Sequence, residues 1–303
     1  MDKPKIYIDG QAGTTGLEIY QRLSKREDIE IILIDPEKRK DDVERKKCMD
    51  KADLVFLCLP DAASIAAIDL LDENTKVIDA STAHRCNDDW AYGMCEVSDA
   101  HKHKIETSHR VANPGCHATG FIMAVYPLVQ KGLIDKDSVL VAHSLTGYSG
   151  GGNKMIAQYE NDKTEDLYAP RIYGLIQMHK HLPEMKKMTG LNEEPIFNPI
   201  VDDYYRGMAV TVPVFNHSID EVYEVLKNWY EGKPLITVSK QVDGMISANT
   251  KANKDSLELI VSGNDKKACI TTLFDNLGKG ACGAAIQNMN LMLGFDQTKG
   301  LDL

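Results

Sequence analysis

The sequence lacks the features that mark several classes of protein. No stretch of its 303 residues is apolar for long enough to span a bilayer, and the first residues, MDKPKIYID, lack the apolar core of a signal peptide. Basic residues are in deficit, since 35 Lys and Arg stand against 45 Asp and Glu, for a net charge of −10. This balance argues against nucleic acids and anionic membranes as partners.

Paired cysteines are also missing. The seven cysteines, at positions 48, 58, 86, 95, 116, 269 and 282, are odd in number and include no C-x-x-C pair. A disulfide framework and structural zinc are therefore not expected, and we predict no metal site. The sequence predicts a cytoplasmic protein with reduced thiols, one of which has a special role.

Composition and length indicate a folded protein of two domains. Hydrophobic residues make up 43% of the chain and charged residues 26%, which is typical of globular proteins. Strands and helices alternate at the start of the chain, which predicts an α/β fold with a doubly wound parallel sheet. The predicted elements there are strands at Lys5–Asp9, Ile29–Ile34, Leu54–Leu59 and Lys76–Ile78, and helices at Leu17–Leu23, Lys40–Cys48 and Ala62–Leu71.

The pattern changes after Cys116 and predicts an α+β region with a mixed or antiparallel sheet. Ser218 to Glu221 reads as a capping box before a helix, and the stretch between residues 152 and 179 is predicted to be mostly irregular. We predict a dinucleotide-binding domain over 1–115, a catalytic domain over 116–279, and a C-terminal helix over 280–303 that returns to the first domain. The predicted elements are strands at Val139–His143, Gly207–Phe215, Leu235–Ser239, Leu257–Val261 and Ile270–Phe274, and helices at Val222–Tyr230 and Ala281–Leu293.

A glycine-rich turn, GQAGTTG at residues 10–16, joins the first strand to the first helix. Glycines in this place let a pyrophosphate approach the backbone at a helix N-terminus. The alternative is a tight turn with no ligand. We predict a dinucleotide site, with both threonines capping the helix, to which the following residues contribute: Gly10, Gln11, Gly13, Thr14, Thr15 and Gly16.

Two features bear on the choice between NAD and NADP and point in opposite directions. Asp35 is predicted to end the second strand, where an acidic residue bonds the ribose and favours NAD. Lys38, Arg39 and Lys40 follow closely and suit the 2′-phosphate of NADP. The residues alone leave the choice open.

The segment NPGCHATG, at residues 113–120, places one thiol where a thiolate can act. Pro114 favours extended backbone before it, Gly115 permits a sharp turn, and apolar residues at helical spacing follow. Cys116 is therefore predicted at a helix N-terminus, where the dipole and unbonded N–H groups favour a negative sulfur. Such a thiolate can attack an acyl carbon and hold it as a thioester. Asn113, in the same turn, is a predicted substrate contact.

Three further segments supply candidate contacts. DASTAHR, at residues 79–85, follows the fourth strand, where carboxyl ends of parallel strands face a ligand, so Ser81 is predicted beside the cofactor and Arg85 on a phosphate or carboxylate. The glycine-rich loop at 147–152 contains Ser149 and Gly150, to which only the family resemblance described below assigns the substrate phosphate. Small residues at 279–285, including Gly283, would let a flat cofactor ring lie against the backbone.

Two histidines, His179 and His181, are candidates for acid–base catalysis beside the cysteine. Pro183 after them suits the first turn of a helix. A metal site is the alternative, but no third potential ligand lies at a sequence spacing typical of a metal site. We favour His179 slightly over His181.

The motifs together resemble the shorter form of the N-acetyl-gamma-glutamyl-phosphate reductase family of arginine biosynthesis. The resemblance spans nearly the whole chain and follows the family's motif order. It is carried by GQAGTTG (10–16), LCLPD (57–61), DASTAHR (79–85), VANPGCHATG (111–120), SLTGYSGGG (144–152), HKHLPE (179–184) and DNLGKGACGAA (275–285).

The resemblance implies an NADPH-linked reductase of an acyl phosphate, with Cys116 as nucleophile and one of His179 and His181 moving the proton. It also implies the fold of glyceraldehyde-phosphate and aspartate-semialdehyde dehydrogenases, and a homo-oligomer, either a dimer or a tetramer. Because family members use NADP, Lys38 and Arg39 become the predicted contacts of the 2′-phosphate. The alternatives are an aspartate-semialdehyde dehydrogenase-like reductase, a cysteine hydrolase, and a non-catalytic nucleotide sensor.

Overall fold

The chain divides into two units in its computed structural model, which describes residues 3–303. The first unit runs to Pro114 and includes Ala281–Leu301, and the second comprises Gly115–Gly280 with Asp302–Leu303. The boundaries predicted after residues 115 and 279 each lie one residue from those of the structure.

The first unit is built on a six-stranded sheet in the order β2-β1-β3-β4-β6-β5, with every pairing parallel. The strands are β1 Lys5–Asp9, β2 Glu30–Ile32, β3 Leu54–Leu57, β4 Lys76–Asp79, β5 Ala91–Tyr92 and β6 Arg110–Ala112. The helices are α1 Thr14–Leu23, α2 Asp42–Met49, α3 Asp61–Ile68, α4 Asp99–Thr107 and, from the C-terminal part, α9 Gly283–Met292.

Both faces of this sheet are covered, which explains why the interior positions of its longer strands are apolar. Ile6 and Ile8 of β1 pack in a core cluster with residues of α1 and α9. Tyr7, between them, points to the other face and packs with residues of α2 and α3. The predicted parallel, doubly wound sheet is confirmed.

Several predicted details of the first unit are wrong. Strand β2 ends at Ile32, so Asp35 lies beyond it in a turn. Helix α1 begins at Thr14 with Gly13 as its N-cap, and no side chain caps it, so Thr14 and Thr15 are not the cap. Helix α4 and the short strand β6 were not predicted, because α4 buries only Ile105 and β6 is only three residues long.

The second unit contains a seven-stranded mixed sheet in the order β11-β12-β13-β10-β7-β9-β8. The strands are β7 Val141–Gly147, β8 Arg171–Ile172, β9 Ile196–Asp202, β10 Met208–Phe215, β11 Ile236–Lys240, β12 Leu257–Gly263 and β13 Lys267–Phe274. The helices are α5 Cys116–Gln130, α6 Gly152–Glu160, α7 Leu182–Thr189 and α8 Ile219–Tyr230.

Helix α5 is the buried centre of this unit. Twelve of its 15 residues are buried, and it contacts α7, α8 and the strands β10 and β13. The hydroxyl of Tyr230, at the end of α8, donates to the carbonyl of Met123 at 2.7 Å. The N-terminus of α5, with Cys116 as its first residue, is therefore fixed by packing along the whole helix.

Two predictions for the second unit have opposite outcomes. The capping box is confirmed, because Ser218 and Glu221 bond each other's backbone at the start of α8. The stretch from 152 to 179 is not mostly irregular, since it contains α6, a 3₁₀ turn at Glu165–Tyr168 and β8.

Candidate functional site

The glycine turn after β1 has a conformation that only glycine fits. Gly10 has φ +87°, and a Cβ there would lie 2.3 Å from the carbonyl oxygen of Cys58. A Cβ at Gly16 would lie 2.4 Å from the carbonyl oxygen of Gly10, so this glycine lets α1 pack directly on the turn. The turn therefore presents backbone, rather than side chains, at the N-terminus of α1.

A cavity of about 740 Å³ opens beside this turn, within the first unit. Its volume is in the range of small-molecule and cofactor sites. The peptide groups at a helix N-terminus and the basic side chains nearby suit the phosphates of a dinucleotide. The lining includes Gly10, Gln11, Ala12, Gly13, Pro36, Arg39, Lys40 and Arg45.

The four residues named for the NAD or NADP choice, Asp35 and Lys38 to Lys40, differ in their placement. Arg39 and Lys40 line the cavity, whereas Lys38 is not part of its lining. The carboxylate of Asp35 accepts the backbone N–H of Glu37 at 3.0 Å, which stabilises the turn. The structure thus brings two cations, but not the carboxylate of Asp35, to the cavity.

Arg45 of α2 is a cavity residue that sequence analysis missed. Its Nη2 lies 2.7 Å from Oδ2 of the buried Asp9, at the end of β1. The only signal for it was the charged pattern of the predicted second helix, which does not reveal a partner at the end of β1.

The end of β4 is organised around the buried carboxylate of Asp79. This carboxylate accepts from the hydroxyl of Ser64 and from both the N–H and the hydroxyl of Ser81. His84 Nδ1 lies 2.6 Å from it, and the His84 ring stacks on Trp90. The hydroxyl of Ser81 therefore stabilises the loop after β4 by its bond to Asp79, and its contact with a cofactor stays a prediction.

Arg85 and Asn113 are buried and bound to backbone in the first unit. Arg85 donates to the carbonyls of Asn113 and Ala80, and the Asn113 amide donates to the carbonyl of Ala281. These bonds join the ends of β4 and β6 to the start of the C-terminal part. Gly283, the first residue of α9, is also buried. Roles of these residues toward substrate or cofactor stay predictions.

In the second unit, Cys116 occupies the first position of α5, as the sequence predicts. The N-cap, Gly115, is extended, and no acidic residue lies in the first turn. The backbone N–H groups of the first turn and the helix dipole at this end favour a thiolate. A Cβ at Gly280 would lie 3.0 Å from Cβ of Cys116, so the glycine keeps space beside the thiol.

Glu184 supports the cysteine turn and was not predicted. This buried residue of α7 accepts the backbone N–H of Gly115 at 3.2 Å through Oε2. Its other oxygen lies 3.9 Å from Nε2 of His181. The signal that could have identified it is the i, i+3 spacing of His181 and Glu184 at the start of a helix, which places both on one side.

The structure brings His179 and His181 together with Cys116's neighbour in the chain, His117. The ring centroids of His179 and His181 are 4.7 Å apart, and each is 5.5 Å from that of His117. His181 is only 4% exposed, whereas His179 is partly exposed. Nδ1 of His179 accepts the backbone N–H of His181 at 3.2 Å, which orients the ring.

His117 is a buried imidazole held from both sides. Nδ1 lies 2.6 Å from the hydroxyl of Ser144 in β7, and Nε2 lies 2.7 Å from the hydroxyl of Tyr173. Burial, followed by the charges of His179 and Lys180, lowers the pKa of His117 to about 3. The ring is therefore neutral at physiological pH and carries one N–H.

Acid should destabilise the protein through His117. Its pKa falls from an ordinary 6.5 to about 3, so below pH 6.5 the unfolded chain binds a proton that the folded chain does not. The free energy of unfolding should therefore fall as pH drops through this range, by about 2 kcal/mol between pH 7 and pH 5 from this residue. Urea denaturation at both pH values measures the effect. The His117→Gln variant should lose less stability on acidification, and equal losses would contradict the assignment.

Ser149 and Gly150 lie in a 3₁₀ turn after β7. Ser149 is buried, and its hydroxyl accepts from the amide of Asn276 at 2.9 Å. A Cβ at Gly150 would lie 3.5 Å from the same amide and from the Thr146 hydroxyl. The turn is thus lined by polar groups, and its contact with a phosphate stays a prediction.

Two kinds of feature are absent from residues 3–303, a cluster of metal ligands and a membrane-spanning helix. No group of three or more His, Cys, Asp or Glu side chains in this range is placed to hold a metal ion. Within the same range, no helix has the length and apolar character needed to cross a membrane.

Comparison with sequence families gives one match for each part of the chain. The semialdehyde dehydrogenase NAD binding domain matches residues 5–105, and the semialdehyde dehydrogenase dimerisation domain matches residues 116–276. The first match covers the glycine turn, which supports a nicotinamide cofactor. The second covers Cys116 and both candidate histidines, and its description indicates an oligomer.

Similar structures give the same fold. Aspartate semialdehyde dehydrogenase II from Vibrio cholerae superposes with a TM-score of 0.72 and 15% identity over 97% of this chain and 99% of that chain. Aspartate semialdehyde dehydrogenase from Candida albicans, solved with NADP, gives a TM-score of 0.70 and 16% identity over 96% and 99%. The predicted dehydrogenase-like fold is confirmed.

Similar sequences identify the group more narrowly. N-acetyl-gamma-glutamyl-phosphate reductase 2 of Nostoc sp. is 40% identical over 99% of this chain and 100% of its own length. N-acetyl-gamma-glutamyl-phosphate reductase of Brucella anthropi is 42% identical over 96% of this chain and 99% of its own length. The chain is therefore a member of the semialdehyde dehydrogenase family, in its group of N-acetyl-gamma-glutamyl-phosphate reductases.

Proposed function

We propose that this protein reduces N-acetyl-L-glutamyl 5-phosphate to N-acetyl-L-glutamate 5-semialdehyde and phosphate, in arginine biosynthesis, with NADPH as reductant. The observation that carries the proposal is Cys116 at the N-terminus of α5, in a chain at least 40% identical to reductases named for this substrate. Aspartate-semialdehyde dehydrogenases share the fold at about 15% identity, which supports the fold alone.

The first step is attack by the thiolate of Cys116 on the acyl phosphate carbon. A C–S bond forms, the bond to phosphate oxygen breaks, and phosphate leaves with the bonding electrons. N–H groups at the start of α5 stabilise the oxyanion of the tetrahedral intermediate. We assign Arg85, Asn113, Ser149 and Gly150 to the substrate and its phosphate, as the sequence motifs indicate.

The second step reduces the thioester held on Cys116. The nicotinamide cofactor, when bound, supplies a hydride to its carbonyl carbon. His179 gives a proton to the oxygen of the resulting thiohemiacetal and takes it back as the C–S bond breaks and the aldehyde leaves. The bond from the His181 N–H to Nδ1 of His179 supports this role, because it orients the ring.

The cofactor site that we propose lies in the first unit. The residues fit a dinucleotide, since Gly10 and Gly16 keep the turn free of side chains, and the lining of the adjoining cavity of about 740 Å³ includes Arg39, Lys40 and Arg45. Gln11 and Gly13 offer backbone to the pyrophosphate, and Arg39 with Lys40 offers charge to a 2′-phosphate. NADP is therefore the proposed form of the cofactor.

Assembly and location complete the proposal. The match to a dimerisation domain supports a homo-oligomer, and we propose a dimer or tetramer. We propose the cytoplasm as the compartment, since a biosynthetic reductase works where its acyl phosphate and NADPH are supplied.

The assay that tests the function follows the reverse reaction. Purified protein should reduce NADP when given N-acetylglutamate semialdehyde and phosphate, and should require both. Aspartate semialdehyde is the matched control substrate, and we expect at least a hundredfold lower kcat/KM with it, since it lacks the acetyl group and one carbon. Equal activity on both substrates, or none on the first, would refute the proposal.

Arg39→Ala should weaken binding of NADPH selectively. A charge-assisted bond to the 2′-phosphate is worth roughly one factor of ten or more in affinity, so we expect KM for NADPH to rise about tenfold and KM for NADH to stay unchanged. Steady-state kinetics with both cofactors measures this. Lys38→Ala is the matched control, because Lys38 is not part of the cavity lining. An equal effect of both substitutions would contradict the placement of the 2′-phosphate beside Arg39.

A further inference from the structure

Tyr173 lies beside the cysteine turn and has no part in the mechanism above. It follows strand β8, where its backbone N–H donates to the carbonyl of Pro199 in β9 at 3.0 Å. Its hydroxyl lies 2.7 Å from Nε2 of His117, which directly follows Cys116 in the chain. The half-buried tyrosine is thus held at its backbone and at its hydroxyl, close to the start of α5.

The protonation of both partners limits how this hydrogen bond can run. Burial keeps His117 neutral, so only one of its nitrogens carries a hydrogen. Burial, followed by the negative charge of Cys116, raises the pKa of Tyr173, so the phenol keeps its proton. The ring centroid of Tyr173 lies 6.1 Å from that of His117 and 6.0 Å from that of His179, so the phenol lies among the side chains around the start of α5.

Two hydrogen-bond directions satisfy these limits. In the first, the Ser144 hydroxyl donates to Nδ1 of His117, and Nε2–H donates to the oxygen of Tyr173, which leaves the phenol O–H to point elsewhere. In the second, the phenol donates to Nε2, and Nδ1–H donates to Ser144. Ser144 is fully buried, and its contact with His117 is short at 2.6 Å in either case. The first direction is the one that gives the phenol O–H to the cysteine.

We propose that Tyr173 is a catalytic residue whose phenol, positioned by the buried Ser144–His117 pair, donates a hydrogen bond to the sulfur of Cys116 and favours the thiolate. No covalent bond changes and no proton is transferred in this arrangement. The phenol remains protonated and acts as a fixed donor, as do the N–H groups of α5. The inference deepens the proposed function, on which it rests for the role of the thiolate in turnover.

Other titratable groups face the same region and are held constant in the test. They come from α5, from the segment before α7 and from α7 itself: His117, His179, Lys180, His181 and Glu184.

Alkylation of Cys116 by iodoacetamide tests the proposal on the intact protein without substrate or cofactor. Tyr173→Phe removes one oxygen and keeps the ring. Loss of a bond to a charged sulfur should lower the alkylation rate at pH 7 about tenfold and raise the midpoint of its pH profile by about one unit. Peptide mass spectrometry follows Cys116 separately from the other cysteines. A rate and midpoint equal to those of the wild type would overturn the proposal.

Two further variants separate this role from a structural one. Tyr159→Phe is the matched control, since it removes a hydroxyl of the same unit that is bonded to Arg171, and it should leave alkylation unchanged. Ser144→Ala removes the donor to Nδ1 and frees His117 to take the other direction, so alkylation should slow about threefold. An unchanged rate in Ser144→Ala would contradict the proposed order of donors, even if Tyr173→Phe failed to fold.

The result of the alkylation test does not depend on whether the protein has the proposed reductase activity. If the wild type lacked reductase activity while Tyr173→Phe still slowed alkylation, the proposed function would fail and this inference would stand. If the wild type were an active reductase and Tyr173→Phe alkylated normally, only this inference would fail.

Discussion

Cys116→Ser should reduce kcat by a factor on the order of 10³ or more while the dissociation constant of NADPH stays within about twofold. A serine hydroxyl does not ionise at neutral pH, so the dipole and N–H groups of α5 have no anion to stabilise. Exchange of sulfur for oxygen leaves the side chain otherwise unchanged. The buried α5 should therefore keep its position, and the first unit should keep its cavity.

The measurement combines steady-state turnover of semialdehyde, phosphate and NADP with a fluorescence titration of NADPH. Cys269→Ser is the matched control, because Cys269 lies in β13 of the same unit and burial raises the pKa of its thiol. It should keep wild-type turnover. Near-normal phosphate-dependent turnover in Cys116→Ser would show that the reaction does not pass through this sulfur.

His179→Asn should lower kcat by about 10² to 10⁴ with little loss of thermal stability. His179 is partly exposed, so its Nε2 can exchange a proton with a bound substrate, and its removal deletes a proton donor rather than core packing. His181→Asn should lower kcat less and Tm more. His181 is 4% exposed and lies 3.9 Å from Glu184, which also binds the N–H of Gly115.

Paired kinetics and thermal melts of the two variants decide between them. Glu184→Gln provides a third comparison, since it keeps the shape of the side chain that supports both His181 and the cysteine turn. We expect it to resemble His181→Asn. A His181→Asn variant with the larger loss of kcat and an unchanged Tm would transfer the acid–base role to His181.

The fold was predictable where the pattern of apolar residues in the sequence follows directly from burial. Strands such as β3 are apolar at every position because both faces of the sheet are covered, and the alternation with helices then predicts a parallel sheet. Helix α4 was missed because only Ile105 of its nine residues is buried. Strand β9 was missed because Pro199 lies in its middle, and proline argues against a strand unless the pairing tolerates a missing donor.

The candidate site was predictable where a residue's conformation depends on its neighbours in the sequence. The turn at Cys116 depends on Pro114 and Gly115 beside it, and the structure has the predicted helix start. The contacts of His117 are not local, since Ser144 and Tyr173 are 27 and 56 residues away. A short motif predicts that a histidine is present, but only the burial of His117 and its contacts with Ser144 and Tyr173 determine that it is neutral and what it positions.

Intact-protein mass spectrometry after rapid mixing with N-acetylglutamyl phosphate, in the absence of NADPH, tests directly whether the reaction passes through Cys116. The thioester mechanism predicts an N-acetylglutamyl group on Cys116, which disappears when NADPH is added. A single-turnover reaction that yields semialdehyde without this adduct ever forming on Cys116 would contradict it.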